Sequence, residues 1–177
     1  MRLFLGLSLP DDVRAETERL SAQAARLIPA RFSEPCNHHI TLAFLGDVPQ
    51  DRLSAAHGVL AACLANAPSP CLTLEGCGQF GPMQNAILIV RVRADPDIAP
   101  LHDALCHAAK QCGLPCDSGP FSPHITLARH AHVTPETLAA LMPAPIAFCP
   151  AQGHVFLSAR DAQGRLRYTP IASASFG

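Results

Sequence analysis

The chain is 177 residues long, 49% hydrophobic and 15% charged, with a formal net charge of −1 at pH 7. Such a length buries a real core in one domain or two small lobes, and the composition excludes a disordered chain. Proteins that track long nucleic acids through their phosphates carry a basic excess, so this balance leaves a single phosphate or a strand end as the nucleic-acid target.

Residues 1–10 open like a signal peptide, but the apolar run is short and an acidic, helix-like segment follows at once. Residues 3–9 therefore read as a buried strand closed by Pro10. Asp11 and Asp12 place negative charge in a first helical turn, and Val13, Leu20, Ala24 and Leu27 form an apolar face up to Pro29. Residues 33–37 read as a loop, and residues 38–45 as a strand closed by Gly46-Asp47. Pro49 opens a second helix carrying Leu53, Val59, Leu60, Cys63 and Leu64, which the Pro68-Ser69-Pro70 break ends. Residues 71–80 look strand-like, with Gly76, Gly78 and Gly81 marking bulges and a turn; residues 85–92 form a continuous apolar strand. A third helix starts at Asp95-Pro96-Asp97, carries Ile98, Leu101, Leu105 and Ala108, and stops at Gly113. After a loop rich in Pro, Gly and Ser come a strand over 122–129, a short helix over 135–142, and a strand near Ile146. A hairpin of strand 154–159 and a last strand through Tyr168 closes the pattern.

No stretch approaches the roughly 20 apolar residues that span a bilayer, so a cytoplasmic protein without membrane attachment is expected. The eight cysteines, Cys36, Cys63, Cys71, Cys77, Cys106, Cys112, Cys116 and Cys149, contain no Cys-x-x-Cys pair. Reduced, mostly buried thiols are the simplest expectation.

His39-Ile40-Thr41-Leu42-Ala43 returns as His124-Ile125-Thr126-Leu127-Ala128, five identical residues 85 positions later. Side chains alternate along a strand, so each copy presents one imidazole and one hydroxyl on one face while Ile and Leu point into the core. The same shift of 85 lays Leu3 on Leu88, Val13 on Ile98, Leu20 on Leu105 and Leu53 on Leu138 without a gap. The order strand, helix, motif strand, helix, strand thus occurs twice, which predicts an internal duplication of about 1–84 and 85–177. Two lobes related by a pseudo-twofold axis would face the motifs across a cleft.

Two histidines and two threonines around one small volume suit a phosphate. Phosphodiester hydrolysis needs a base for water, an acid for the leaving oxygen, and donors for the non-bridging oxygens. Two imidazoles fill the first two roles near neutral pH, and the hydroxyls of Thr41 and Thr126 can hold the equatorial oxygens. The arrangement needs no metal and no cofactor. Arg129 could add a permanent charge, although its odd spacing from His124 puts it nominally on the other face of a regular strand. A single His-x-Thr is explained equally well by the open face of a half-buried strand. Duplication at matched positions weighs against that, because packing keeps Ile and Leu but gives no reason to keep both histidines.

The sequence resembles the two-histidine (2H) phosphoesterase superfamily, and within it the RNA 2',3'-cyclic phosphodiesterases historically called 2'-5' RNA ligases or LigT-like proteins. The likeness covers essentially the whole chain. It lies in Arg2-Leu3-Phe4, in Asn37-His38-His39-Ile40-Thr41-Leu42 running into Phe44-Leu45-Gly46, in Pro123-His124-Ile125-Thr126-Leu127-Ala128-Arg129, and in Arg167-Tyr168-Thr169. The resemblance implies opening of a terminal 2',3'-cyclic phosphate to a 2'-phosphomonoester. It implies His39 as acid on the departing 3' oxygen, His124 as base, Thr41 and Thr126 on the phosphate, and Arg129 assisting, with 2'-5' joining in reverse. Relatives often carry a basic residue where this chain has Ala43, and a Trp near Phe32. Ala43 puts a second phosphate contact in doubt, and longer RNA is expected to bind weakly.

His38 precedes the motif and is expected to face away from the site. His130 and His132 read as solvated loop residues. His102 and Cys106, four apart on a helix with Cys112 and Cys116 nearby, lack the tight ligand pairs usual for zinc; Arg160, Arg165 and Arg167 read as a solvated turn or an RNA-contacting edge. The fold expected is α+β, with two pseudo-symmetric lobes, antiparallel sheets lining a central cleft and helices outside. The leading function is a metal-independent, monomeric RNA 2',3'-cyclic phosphodiesterase acting on RNA ends. The alternatives are a phosphodiesterase for a small cyclic phosphate and a non-catalytic RNA-binding module.

Overall fold

The computed structural model describes residues 1–117 and 119–177. Its elements run β1 (Arg2–Ser8), α1 (Asp11–Leu27), β2 (Arg31–Phe32), β3 (His39–Asp47), α2 (Leu53–Leu64), β4 (Cys71–Phe80), β5 (Ala86–Asp95), α3 (Ala99–Gln111), β6 (His124–Ala131), α4 (Pro135–Ala140), β7 (Ala147–Phe148), β8 (Gln152–Arg160) and β9 (Leu166–Ser175). All pairings are antiparallel, in the order β7-β4-β5-β6-β3-β1-β8-β9, with β2 added on β6. The α+β class expected from the sequence is the class observed. Within the described residues no helix is long and apolar enough to cross a membrane.

β3 and β6 meet at one ladder pair, Ile40 opposite Ile125, and this joint divides the sheet into β3-β1-β8-β9 and β6-β5-β4-β7. The first combines the two ends of the sequence, and the second is built from its middle, residues 71–148. α2 packs on β8 and β9 and α3 on β3, whereas α1 packs on β6 and α4 on β4. Leu3, Leu5 and Leu7 alternate into the helix side of β1 and are fully buried, each contributing about 1.5–3 kcal/mol relative to exposure. Phe4, Gly6 and Ser8 take the other face, toward the cleft.

Sheet register corrects the gapless shift. Leu5 pairs with Ala43 and Gly6 with Thr41, while Leu88 pairs with Ala128 and Ile89 with Thr126. Leu5 therefore corresponds to Leu88, an offset two residues smaller than that of the motifs. Two is the period of a strand, so the apolar alternation matched in both frames. Strand β2 lies just before the loop expected over 33–37: Arg31 pairs with Arg129 and Phe32 with Ala128, and the Ser33 N–H donates to the Leu127 carbonyl at 2.8 Å. β9 continues past Tyr168 to Ser175 along the whole of β8. The cysteines also differ from expectation. Cys106 and Cys116 form a disulfide, and Cys36, Cys71, Cys112 and Cys149 are exposed; these exposed positions lie in turns and at strand ends that burial patterning does not reach.

Candidate functional site

The register of both motif strands slips by one residue at the same place. Leu42 is skipped between Thr41 and Ala43, and Leu127 between Thr126 and Ala128. A bulge of this kind puts two consecutive residues on one face, and Leu42, Ala43, Leu127 and Ala128 are all buried. The phase beyond the bulge is thereby inverted. His39, Thr41 and Phe44 line the cleft from β3, and His124, Thr126 and Arg129 line it from β6. The bulge thus brings Arg129 to the cleft despite its odd spacing. It also corrects the reading of Ala43, which faces the core and is no cleft position.

Each bulge leaves a carbonyl that needs a donor. The Leu127 carbonyl accepts from the Ser33 N–H, whereas the Leu42 carbonyl accepts from Nδ1 of His102 on α3 at 2.7 Å. His102 is buried and stacks on Phe121 with ring centroids 4.6 Å apart. That bond is structural, and among the described residues no three His, Cys, Asp or Glu side chains converge as metal ligands. Gly6 serves the same strand junction: a Cβ there would stand 2.6 Å from the Ile40 carbonyl oxygen.

The two imidazoles are oriented alike. Nδ1–H of His39 donates to the Asn37 carbonyl at 2.7 Å and that of His124 to the Ser122 carbonyl at 2.8 Å, each two residues upstream. This fixes the neutral tautomer with Nε2 bare. Nε2 of His39 accepts from the Thr41 hydroxyl at 2.9 Å; within the described residues, Nε2 of His124 and the Thr126 hydroxyl make no hydrogen bond. His39 is enclosed by Phe4 at 4.6 Å and by Tyr168 at 4.9 Å edge-on, with Phe156 stacked on Phe4. Burial is the main reason its pKa falls to about 4, and the charges of His124 and Arg129 add to the effect. His124 is shifted down as well, again chiefly by burial.

The cleft holds about 870 Å³, well beyond what one phosphate fills. Arg2, Arg31, Arg129, Arg160 and Arg165 line it, against a single acid, Glu34. Arg2 lies over the Phe44 ring at 5.1 Å, so the first lobe brings its charge from β1. Arg165 and Arg167 are held by Asp161 at 3.1 and 3.0 Å, and Arg167 also donates to Glu34. The basic turn is therefore ordered over the cleft rim and is only partly a solvated feature. His38 faces away as expected, buried, with Nδ1 2.8 Å from the Thr17 hydroxyl. His130 lies on the end of β6 at φ 54°, its Nδ1 paired with Asn85 at 2.9 Å, and is not a free loop residue.

Sequence reasoning missed Asn37, which is buried, donates to the Leu166 carbonyl at 2.7 Å and accepts from the Tyr168 N–H at 3.0 Å. Its place two residues before His39, matched by Ser122 before His124, was the available signal. Arg31 carried no motif that could have marked it.

A model of the 2'-5' RNA ligase superfamily matches residues 9–159. The chain is 31% identical over 151 residues to an RNA 2',3'-cyclic phosphodiesterase of Geobacillus stearothermophilus, covering 82% of this chain and 48% of that protein, so it spans about half of that relative's length. It is 30% identical over 177 residues to the RNA 2',3'-cyclic phosphodiesterase of Escherichia coli, covering 96% of this chain and 93% of that protein. The solved structure of E. coli LigT complexed with 3'-AMP is 26% identical and superposes with a TM-score of 0.70 over 99% of this chain and 96% of that one. With the family match running through both motif strands and the relatives agreeing with it, the chain belongs to the 2'-5' RNA ligase superfamily.

Proposed function

We propose that this protein hydrolyses a terminal 2',3'-cyclic phosphate of RNA to the 2'-phosphomonoester. The observation that carries the reading is the pair of Nδ1-anchored imidazoles on one cleft, each beside a threonine hydroxyl. His124, with its bare Nε2, takes a proton from water as the water oxygen bonds to phosphorus. The bond from phosphorus to the 3' oxygen breaks, and that oxygen takes its proton from Nε2 of His39. His39 is neutral in the empty cleft, so it must acquire that proton as the anionic substrate binds. Thr41 and Thr126 hold the non-bridging oxygens and Arg129 offsets the charge that develops there.

With the 5' hydroxyl of another RNA end in place of water, the same attack on the cyclic phosphate forms a 2'-5' bond. The bond from phosphorus to the 3' oxygen breaks as that oxygen takes its proton from His39, and this joining is reversible. The five cleft arginines and the cleft volume favour an RNA end over a small cyclic phosphate. One chain supplies both histidines, so a monomer acting in the cytoplasm on RNA ends is sufficient. The matched bulges in β3 and β6 support an internal duplication, with segments of about 1–84 and 85–177 folded into one two-lobed domain.

The test is hydrolysis of a short RNA ending in a 2',3'-cyclic phosphate, with excess EDTA, by wild type, His39→Ala and His124→Ala, with the product isomer identified. Formation of the 2'-phosphate, and a loss of at least about 100-fold in each variant, are expected. Turnover that is absent, or equal in all three proteins, would leave a non-catalytic RNA-binding module.

A further inference from the structure

We propose that Arg31, opposite Arg129 on the β2–β6 ladder, binds a second phosphate of the substrate, the one linking the terminal nucleotide to its 5' neighbour. The inference rests on the reading of the cleft as a cyclic-phosphate site and extends it to the chain behind the reacting end.

Arg31 and Arg129 are a direct cross-strand pair, so their side chains leave the sheet on one face with Cα atoms about 5 Å apart. Both line the cleft. Like charges opposite each other on a ladder repel, and the acid nearest in the cleft wall does not relieve them: Glu34 is taken by Arg167, with Arg165 at 4.0 Å. Within the described residues neither the Arg31 nor the Arg129 guanidinium has an ion pair or a hydrogen bond. Two uncompensated guanidiniums fixed side by side form a ready site for an anion with several acceptor oxygens.

Their position says which anion. β2 continues the line of β3 along the edge of β6 after the insertion at 35–37: Ile40 faces Ile125, Ser33 reaches Leu127, and Arg31 faces Arg129. Following β6 outward, the cleft therefore presents His124, then Thr126, then the arginine pair. Arg129 lines the cleft on the same strand as His124 and Thr126, which sets it beside the reacting phosphate. Arg31, one strand further from the β5 side, meets the next phosphate along the strand. A charge at Arg31 also answers the doubt raised by Ala43, since the contact for longer RNA comes from β2 instead of β3.

The experiment compares kcat/KM for adenosine 2',3'-cyclic phosphate with and without a 5'-phosphate, in wild type and Arg31→Gln, with thermal melting to confirm folding. The 5'-phosphate stands in for the backbone phosphate. A preference of about tenfold or more is expected in wild type, falling to within about twofold of unity in Arg31→Gln and partly restored in Arg31→Lys. A wild type without preference, or a variant that keeps it, would overturn the inference. If wild type turns over neither substrate, the functional reading fails on its own, and the Arg31 site is then read by calorimetric binding of adenosine 2',5'-bisphosphate against adenosine 2'-phosphate. Tighter bisphosphate binding that disappears in Arg31→Gln supports the site, and equal binding in wild type overturns it.

Discussion

His39 and His124 come from the same five-residue sequence, yet His39 is enclosed more deeply than His124. The difference originates in the outer strands. Phe156 on β8 pairs with Phe4, and Phe80 on β4 pairs with Ile87, so the two phenylalanines stand at corresponding places beside their histidines. β9 runs ten residues along β8 and brings Tyr168 over His39, leaving Phe156 4% exposed. β7 contributes two residues that pair only with Leu72 and Thr73, and Phe80, 4.8 Å from the His124 ring, is 38% exposed. Identical motif chemistry is thereby given two environments. In the proposed mechanism the more deeply enclosed imidazole takes up its proton as the anion binds, and the other, whose Nε2 makes no hydrogen bond among the described residues, takes its proton from water. Separating the tendencies of two like groups in this way is how an acid and a base are obtained from one residue type.

The sharpest way to break the comparison is to remove each histidine. Alanine at either position should cost at least about 100-fold in kcat, and the double variant should lose little more than the worse single one, because the two act as a unit. Single-turnover kinetics on a cyclic-phosphate-terminated RNA would check this, and two independent, additive losses would refute the pairing. Proton uptake tests the assignment itself. Inorganic phosphate binding at pH 7 should take up protons, seen as a dependence of calorimetric heat on buffer ionisation enthalpy. The uptake should vanish in His39→Ala and persist in His124→Ala.

Acid stability probes the enclosed lobe. Folded His38 and His39 both titrate near 4, below the ordinary 6.5, chiefly through burial. The unfolded chain therefore binds more protons between those values. Their stabilisation is complete above about pH 6.5 and is lost as the pH falls toward 4. Melting temperature followed from pH 7.5 to 4 should fall across that window, and His38→Gln should flatten the fall.

A smaller effect is expected at the strand junction. Gly6→Ala must push the Ile40 carbonyl away and should cost about 1–3 kcal/mol in urea unfolding. Its counterpart in the other lobe is Ile89, which is buried without such a clash. Losing the His102 donor in His102→Phe should cost about 1–3 kcal/mol, the price of an unsatisfied Leu42 carbonyl.

The sequence by itself determined the parts that follow from local periodicity. Apolar alternation located most strands, helical spacing located the helices, and the repeated His-x-Thr located the residues that line the cleft. The offset of two residues between the lobes escaped notice because alternation is unchanged by a shift of two. Tertiary structure decided what depends on pairing between distant segments. The bulges at Leu42 and Leu127 exist only as mismatches with β1 and β5, and they alone turn Arg129 into the cleft and Ala43 out of it. β2 is too short to declare itself and forms because the edge of β6 is vacant where β3 ends, which is what sets Arg31 beside Arg129. The unequal burial of the two histidines likewise depends on how far β9 and β7 extend along their neighbours, a long-range property that no window around either motif contains.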